Sequence, residues 1–376
     1  MKWLDRILQR LIFCILLVSC VQAAWAQEKE PMQIGVVGLV HSHVNWILNR
    51  AADGDFKIVG IAEPNRELAQ RFLTRYNLPM SLVYPTIEEM LDKTNPEAVT
   101  AFNTIRDHLK VVEHCAPRGI HVMVEKPLAV NLGDALKMSR LAKKHNIHLL
   151  TNYETTWYGS HHQAMKMLTE QHDSFGDIRK VVVHDGHPGP KEIGVDPEFL
   201  EWLTDPYFNG AGALTDFGCY GANLSTWLHH GAMPIEVLAV TQQIKPDIYP
   251  NVDDEATIIL TYDKSQTIIQ ASWNWPYNRK DIEIYGKSGF IKCLNAQDMQ
   301  VLRSQQTEES MQAGALQAPF QDPFAYFMAV IREEIKPAPH DLSSLENNLV
   351  VMAILQAAMT SARSGRKFIL KELEQE

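Results

Sequence analysis

The chain has 376 residues, 45% of them apolar, and a formal net charge of −10. That length suits two domains, each able to bury its own core. An acidic balance with no long basic run argues against a nucleic-acid partner.

Residues 1–26 read as an export signal. Lys2, Arg6 and Arg10 against Asp5 form a positive start, and the apolar stretch 11–18 is too short to span a membrane as a helix. Ala24-Trp25-Ala26 fits an A-x-A cleavage pattern, with Gln27 as the mature start. Leu17-Val18-Ser19-Cys20 offers a second exit, a lipobox that leaves a lipidated Cys20. The expected location is the periplasm or otherwise outside the cytoplasm. Cys115, Cys219 and Cys293 then remain, too scattered for a disulfide framework or a C-x-x-C metal site.

Residues 32–150 alternate short apolar runs with amphipathic stretches. Strands are expected at 34–40, 57–63, 98–102, 122–124 and 147–151. Helices are expected at 43–50, 68–76, 86–91, 109–116 and 136–145, the third opened by a Thr86–Glu89 capping box. Such alternation predicts a parallel sheet covered on both faces, an α/β Rossmann domain for a dinucleotide. Gly38 opens its turn. Val40 and His43 stand where the second and third glycines of a G-x-G-x-x-G fingerprint belong, so the phosphate geometry must differ. His41 or His43 can donate to a phosphate instead, more strongly as imidazolium. His41-Ser42-His43 is also a conceivable metal pair, but no carboxylate is near in sequence and no metal is expected. Glu63 closes the second strand, placed to bind the ribose hydroxyls of NAD and repel the 2′-phosphate of NADP. Asn103 and His108, after the strand at 98–102, are further expected cofactor contacts, together with Glu125.

Ile120-His121-Val122-Met123-Val124-Glu125-Lys126-Pro127 organises the chain. Ligands of open parallel sheets bind beyond the carboxyl ends of strands, so Lys126 is expected at the mouth of a cleft beside Glu125. A partly desolvated lysine there can lose its charge and exchange protons with a substrate hydroxyl.

Residues 151–376 change pattern. Strands at 180–184, 236–243, 256–262, 267–273 and 281–286 follow one another with turns and predict an open, largely antiparallel sheet in an α+β domain. The glycine-rich run from Gly210 to Asn223 reads as a loop feeding a helix, with Asp216 and Tyr220 four apart on one face. A long amphipathic helix at 343–362 and a strand near 367–370 close the chain.

Glu125-Lys126-Pro127, Asp216-Phe217-Gly218-Cys219-Tyr220, Asp254-Glu255-Ala256, Tyr285-Gly286-Lys287-Ser288-Gly289 and Ser361-Ala362-Arg363-Ser364-Gly365 together resemble the Gfo/Idh/MocA oxidoreductases, over about residues 32–371. That family includes glucose–fructose oxidoreductase and inositol dehydrogenase. The resemblance implies a nicotinamide cofactor on the first domain and a sugar, polyol or glycoside against the second. It maps the family's lysine to Lys126, its aspartate to Asp216 and its histidine after the fourth strand to His108. Tyr220 stands where many members have histidine. The segment with Asn223 looks more like the glucose–fructose oxidoreductase branch. A homo-oligomer through the C-terminal sheet is expected as well.

Hydride transfer from a carbinol carbon needs a group to take the hydroxyl proton. Lys126 or Tyr220 is expected to take it, Lys126 as a cation favouring the Tyr220 phenolate, with Asp216 orienting Lys126 or holding a sugar hydroxyl. Asn152, Tyr153, Trp157, His187, Trp202 and Asn223 are the expected sugar contacts. Three classes of function stay open: an oxidoreductase with tightly held NAD, a glycosidase or lyase that oxidises its sugar transiently, and a sugar-binding remnant without catalysis.

Overall fold

The computed structural model describes residues 30–370, and the expected signal segment lies outside the described residues. The first sheet is built from β1 (Met32–Val37), β2 (Phe56–Ala62), β3 (Val83–Tyr84), β4 (Ala98–Ala101), β5 (His121–Glu125) and β6 (Leu149–Asn152). Its order is β3-β2-β1-β4-β5-β6 and every pairing is parallel. The order reverses between β1 and β4, the switch point where such sheets open a crevice for ligands. All four residues of β4 are buried, which is why the central strands read as unbroken apolar runs.

The second sheet holds β7 (Ile178–Gly186), β8 (Glu236–Gln242), β9 (Glu255–Thr261), β10 (Gln266–Ser272), β11 (Arg279–Gly286), β12 (Phe290–Cys293), β13 (Asp298–Leu302), β14 (Glu309–Gln312) and β15 (Phe368–Ile369). Its order is β14-β13-β12-β11-β7-β10-β9-β8-β15. Only β7 and β10 pair in parallel among its described strands. One face is buried under helices: Val181 and Val183 pack with Leu224, Trp227 and Ile284. The other keeps Val182, Leu238, Ile259 and Ile268 half-buried and leaves Val240 60% exposed.

Three differences from the sequence reading matter. The strands β12–β14 and the Gly159–Glu170 helix extend the second domain. The Pro323–Ile331 helix, also unexpected, returns to the first sheet. Asp322 caps it, and its Phe324 and Phe327 enter the core with Met32 and Phe56. It escaped notice because it is apolar nearly all round and shows no amphipathic period. Finally, Asp216 and Tyr220 do not share one helix. Asp216 ends the Ala213–Asp216 turn of helix, and Tyr220 lies in the Gly218–Leu228 helix. Asp253 pins the start of the shorter turn: its carboxylate accepts from the Gly212 and Leu214 N–H groups, and its carbonyl from Ala213 N–H. A Cβ on Gly212 would meet the Asp253 carbonyl oxygen at 1.8 Å, so only glycine fits.

Candidate active site where the two domains meet

Two hollows flank the carboxyl ends of the first sheet's strands. The first, about 380 Å³, is lined by Gly38, Val40, Glu63, Asn103, Thr104 and Asp107 among others. Gly38 has φ +79°, and a Cβ there would meet the Asn103 backbone at 2.7 Å. Glu63 is buried. Its two carboxylate oxygens accept from Leu39 N–H at 3.0 Å and Asn65 N–H at 2.8 Å, and burial raises its pKa. Each oxygen keeps a lone pair for a ribose hydroxyl. Asn103 Oδ1 is buried with no partner. A glycine cradle, an acid at the end of β2 and an orphaned amide oxygen fit the ribose end of a dinucleotide.

Glu125 ends β5 within a bonded network. His43 Nδ1–H donates to its Oε2 at 2.8 Å, Asn152 Nδ2 donates to its Oε1 at 2.8 Å, and Trp157 Nε1 donates to Asn152 Oδ1 at 3.0 Å. Burial raises the Glu125 pKa, but His43 and His41 outweigh it and bring the group down to about 2. Asn152 thus bonds Glu125 and Trp157 bonds Asn152, which holds both in the Glu125 network where they were expected at a sugar. His41, His43 and Glu125 offer ligand atoms within 4.8 Å of one another, so β5 supplies the carboxylate that the sequence neighbourhood lacked. His41 is not an imidazolium: burial pushes its pKa well below the usual value, and its Nδ1 accepts from His43 N–H at 3.2 Å. His108 is likewise neutral, pushed by burial to about 4, with Nδ1–H donating to the Leu128 carbonyl at 3.1 Å.

Lys126 follows Glu125 and points the other way. Its ammonium donates to the Asp216 carboxylate, and to the Asp216 carbonyl at 2.9 Å. Trp273 Nε1 donates to the second Asp216 carboxylate oxygen at 3.0 Å. Burial opposes both charges, but each partner outweighs it: Lys126 is raised and Asp216 lowered from their ordinary pKa values. Lys126 thus stays an ammonium, against the expectation of an easily neutralised lysine. Tyr220 also departs from expectation. The Lys126 ammonium lies 5.0 Å from the centre of its ring and Lys280 Nζ 5.1 Å, and burial pushes its hydroxyl well above the ordinary value. The phenol is kept, not the phenolate. Tyr153 meets this ring edge-on at 5.4 Å.

The second hollow, about 610 Å³, opens beside this pair, lined by Glu154, Tyr158, His187, Phe217, Lys280 and Asp281 among others. Lys126 lies behind Phe217, 5.7 Å from that ring centre. His187 is a neutral imidazole pushed by burial to about 4. Its Nδ1 accepts from Gly189 N–H at 3.0 Å, leaving Nε2–H as a donor. Lys280 pairs with Glu154. Asp185, beside Lys280 in the sheet, is 1% exposed with both carboxyl oxygens unpaired, and burial raises its pKa well above the carboxylate range. Sequence reasoning missed Glu154 and Lys280. The available signal for Lys280 was charge in a strand with the alternating Ile282 and Ile284, while Glu154, in the turn after β6, offered none.

Two expected sugar contacts lie elsewhere. Asn223 is buried between helices, its amide donating to the Leu342 carbonyl at 2.8 Å. Trp202 Nε1 donates to the Val40 carbonyl at 3.2 Å, on the dinucleotide side.

Known proteins share the two domains. Residues 32–153 match the oxidoreductase family with an NAD-binding Rossmann fold, GFO_IDH_MocA, and residues 162–292 match the GFO/IDH/MocA C-terminal domain. A trans-1,2-dihydrobenzene-1,2-diol dehydrogenase of Xenopus tropicalis is 25% identical over 239 residues, 63% of this chain and 67% of that one. The fold is shared with an aldose–aldose oxidoreductase of Caulobacter crescentus solved with glycerol (TM-score 0.75, 21% identity, 90% of this chain and 100% of that one). It is shared too with an inositol dehydrogenase homologue of Azotobacter vinelandii solved with NADH and myo-inositol (TM-score 0.74, 16% identity, 91% and 98%). With both family domains matched in order along one chain, this protein belongs to the Gfo/Idh/MocA family of NAD-binding oxidoreductases.

Proposed function

We propose that the protein oxidises or reduces a hydroxyl-bearing carbon of an uncharged sugar, polyol or glycoside, using NAD held in the first domain. The observation that carries this reading is the buried Lys126–Asp216 pair, just past the carboxyl end of β5 and next in sequence to Phe217, which lines the larger cleft. Bound NAD supplies the hydride acceptor. The chain supplies the rest. The Lys126 ammonium stabilises the oxygen that becomes negative as its proton leaves. Asp216 holds that ammonium in place. His187 Nε2–H donates to a neighbouring hydroxyl, and the reacting hydroxyl's proton leaves to solvent in the open cleft, since Lys126 is already an ammonium and Tyr220 keeps its own proton. The uncharged substrate follows from the lining: Arg279 pairs with Asp281, Lys280 with Glu154, and Lys292 with Glu283 at 3.9 Å. No cation in the lining waits for an anionic group.

Asp185 favours a second reading. Asp185 is buried with both carboxyl oxygens unpaired, and burial raises its pKa, the direction needed by an acid that protonates a leaving aglycone in an oxidation–elimination–reduction sequence. Purified protein incubated with aryl glucosides and free sugars separates the two. Net NADH formation with free sugars supports the first reading. Aglycone release without added cofactor supports the second. Neither reaction, with no nucleotide bound, leaves the reading as a sugar-binding remnant.

The N-terminal segment supports export, which cell fractionation and mass measurement of the mature N-terminus would test. The uncovered sheet face, with Val240 exposed, supports a homo-oligomer built on that sheet. Light scattering of Val240→Lys against the parent protein tests it.

A further inference from the structure

Residues 196–209 belong to the second domain by sequence but grip the first at three places. The Pro197–Leu203 helix brings Trp202, whose indole N–H donates to the Val40 carbonyl at 3.2 Å. Phe199 meets His41 edge-on at 4.9 Å, and Trp202 lies 5.8 Å from the same ring. Glu198 pairs with Arg71, on the helix after β2. The Pro206–Asn209 helix, capped by Asp205, places the Tyr207 carbonyl where Arg106 Nε donates to it at 2.5 Å. The Arg106 guanidinium also lies over the Tyr207 ring at 4.0 Å.

These anchors stand on three separate rims of the dinucleotide hollow: the turn after β1, the helix after β2 and the loop after β4. Val40 both lines that hollow and is held from above by Trp202. We propose that the 196–209 segment is a clasp that closes the dinucleotide site from the second domain and slows release of the cofactor. The contacts suit reversible closure. Trp202 and Phe199 are buried and seat the segment, while Tyr207 is 59% exposed and the Arg71 side chain 46% exposed. Charged and cation–π contacts at an exposed rim are individually weak and open easily. The clasp also explains how a turn with valine in place of the second glycine keeps its shape: the Val40 carbonyl is fixed by a partner outside the Rossmann domain.

The inference rests on dinucleotide binding by the first domain, and the test separates the two. Holoprotein carrying NADH is mixed with excess NAD, and the fall in NADH fluorescence gives the release rate. Arg106→Ala with Tyr207→Ala removes the outer rim, and Trp202→Phe removes one N–H while keeping an aromatic ring. Both should release NADH at least tenfold faster than the parent, with melting temperatures of the cofactor-free proteins close to it. Limited proteolysis gives a second measure, since cleavage within 196–209 should slow when NADH is bound. Release rates within twofold of the parent in both variants, with unchanged proteolysis, overturn the clasp while leaving dinucleotide binding intact. A parent protein that binds no NADH overturns both.

Discussion

Lys126 and Asp216 lie 90 residues apart in sequence and meet as a buried ion pair, the ammonium also donating to the Asp216 carbonyl at 2.9 Å. Their charges sustain each other, since burial alone would neutralise either one.

Removing one partner should therefore affect stability as well as turnover. Lys126→Met should abolish turnover by about three orders of magnitude, as expected when a stabiliser of developing charge is lost. It should also cost about 3–5 kcal/mol by leaving the Asp216 carboxylate buried and unpaired. The double variant with Asp216→Asn should be more stable than the sum of the two single losses. Denaturant unfolding of the four proteins measures the coupling. Strict additivity would show that the pair does not couple.

The buried histidines make stability depend on pH. His108, His161 and His187 are held by burial at about 4, against an ordinary value of 6.5. As pH falls below 6.5 the unfolded chain takes up protons that the folded protein refuses until about 4. The unfolded state gains, and stability falls through that window. At pH 5.5 each such group costs roughly 1 kcal/mol. Asp216, whose folded pKa is lowered, adds a loss of the same sign at lower pH. The melting temperature should drop between pH 7.5 and pH 5, by less than the histidines alone would give, because burial raises the folded pKa values of Asp185 and Glu63 and their protonation favours the folded state as pH falls. A flat profile would show that the histidines do not dominate the pH dependence.

Glu63 should set the choice of cofactor. Its buried carboxylate closes β2 inside the dinucleotide hollow and repels a 2′-phosphate. NADH should bind at least tenfold more tightly than NADPH by fluorescence titration, and Glu63→Gln should narrow the gap. Equal affinities in the parent protein would mean that Glu63 serves only the Leu39 and Asn65 N–H groups.

Gly38 should tolerate no side chain. At φ +79°, with a Cβ meeting the Asn103 backbone at 2.7 Å, Gly38→Ala must displace the loop after β4. We expect a loss of about 1–3 kcal/mol in stability and NADH binding weakened beyond detection. Calorimetry and titration read the two separately. A variant that binds NADH like the parent would place the dinucleotide elsewhere.

Much of the first domain was legible from residues alone. Alternating periods of two and 3.6 encode each strand and helix locally, and a parallel sheet buried on both faces writes itself as apolar runs such as Val122–Met123–Val124. Gly38, Glu63 and Lys126 were found the same way, because strand ends and glycine turns are local features. Partners and protonation states were not. The partnership of Lys126 with Asp216 was expected only through the family resemblance, since nothing near Lys126 in the chain points to Asp216, and nothing near His43 points to Glu125. Trp202 read as a sugar contact and instead holds the Val40 carbonyl, since a long side chain's direction depends on how whole helices pack. The charge on Lys126 and the proton on Tyr220 follow from burial and neighbouring charge. Both exist only once distant segments have come together and water has been excluded.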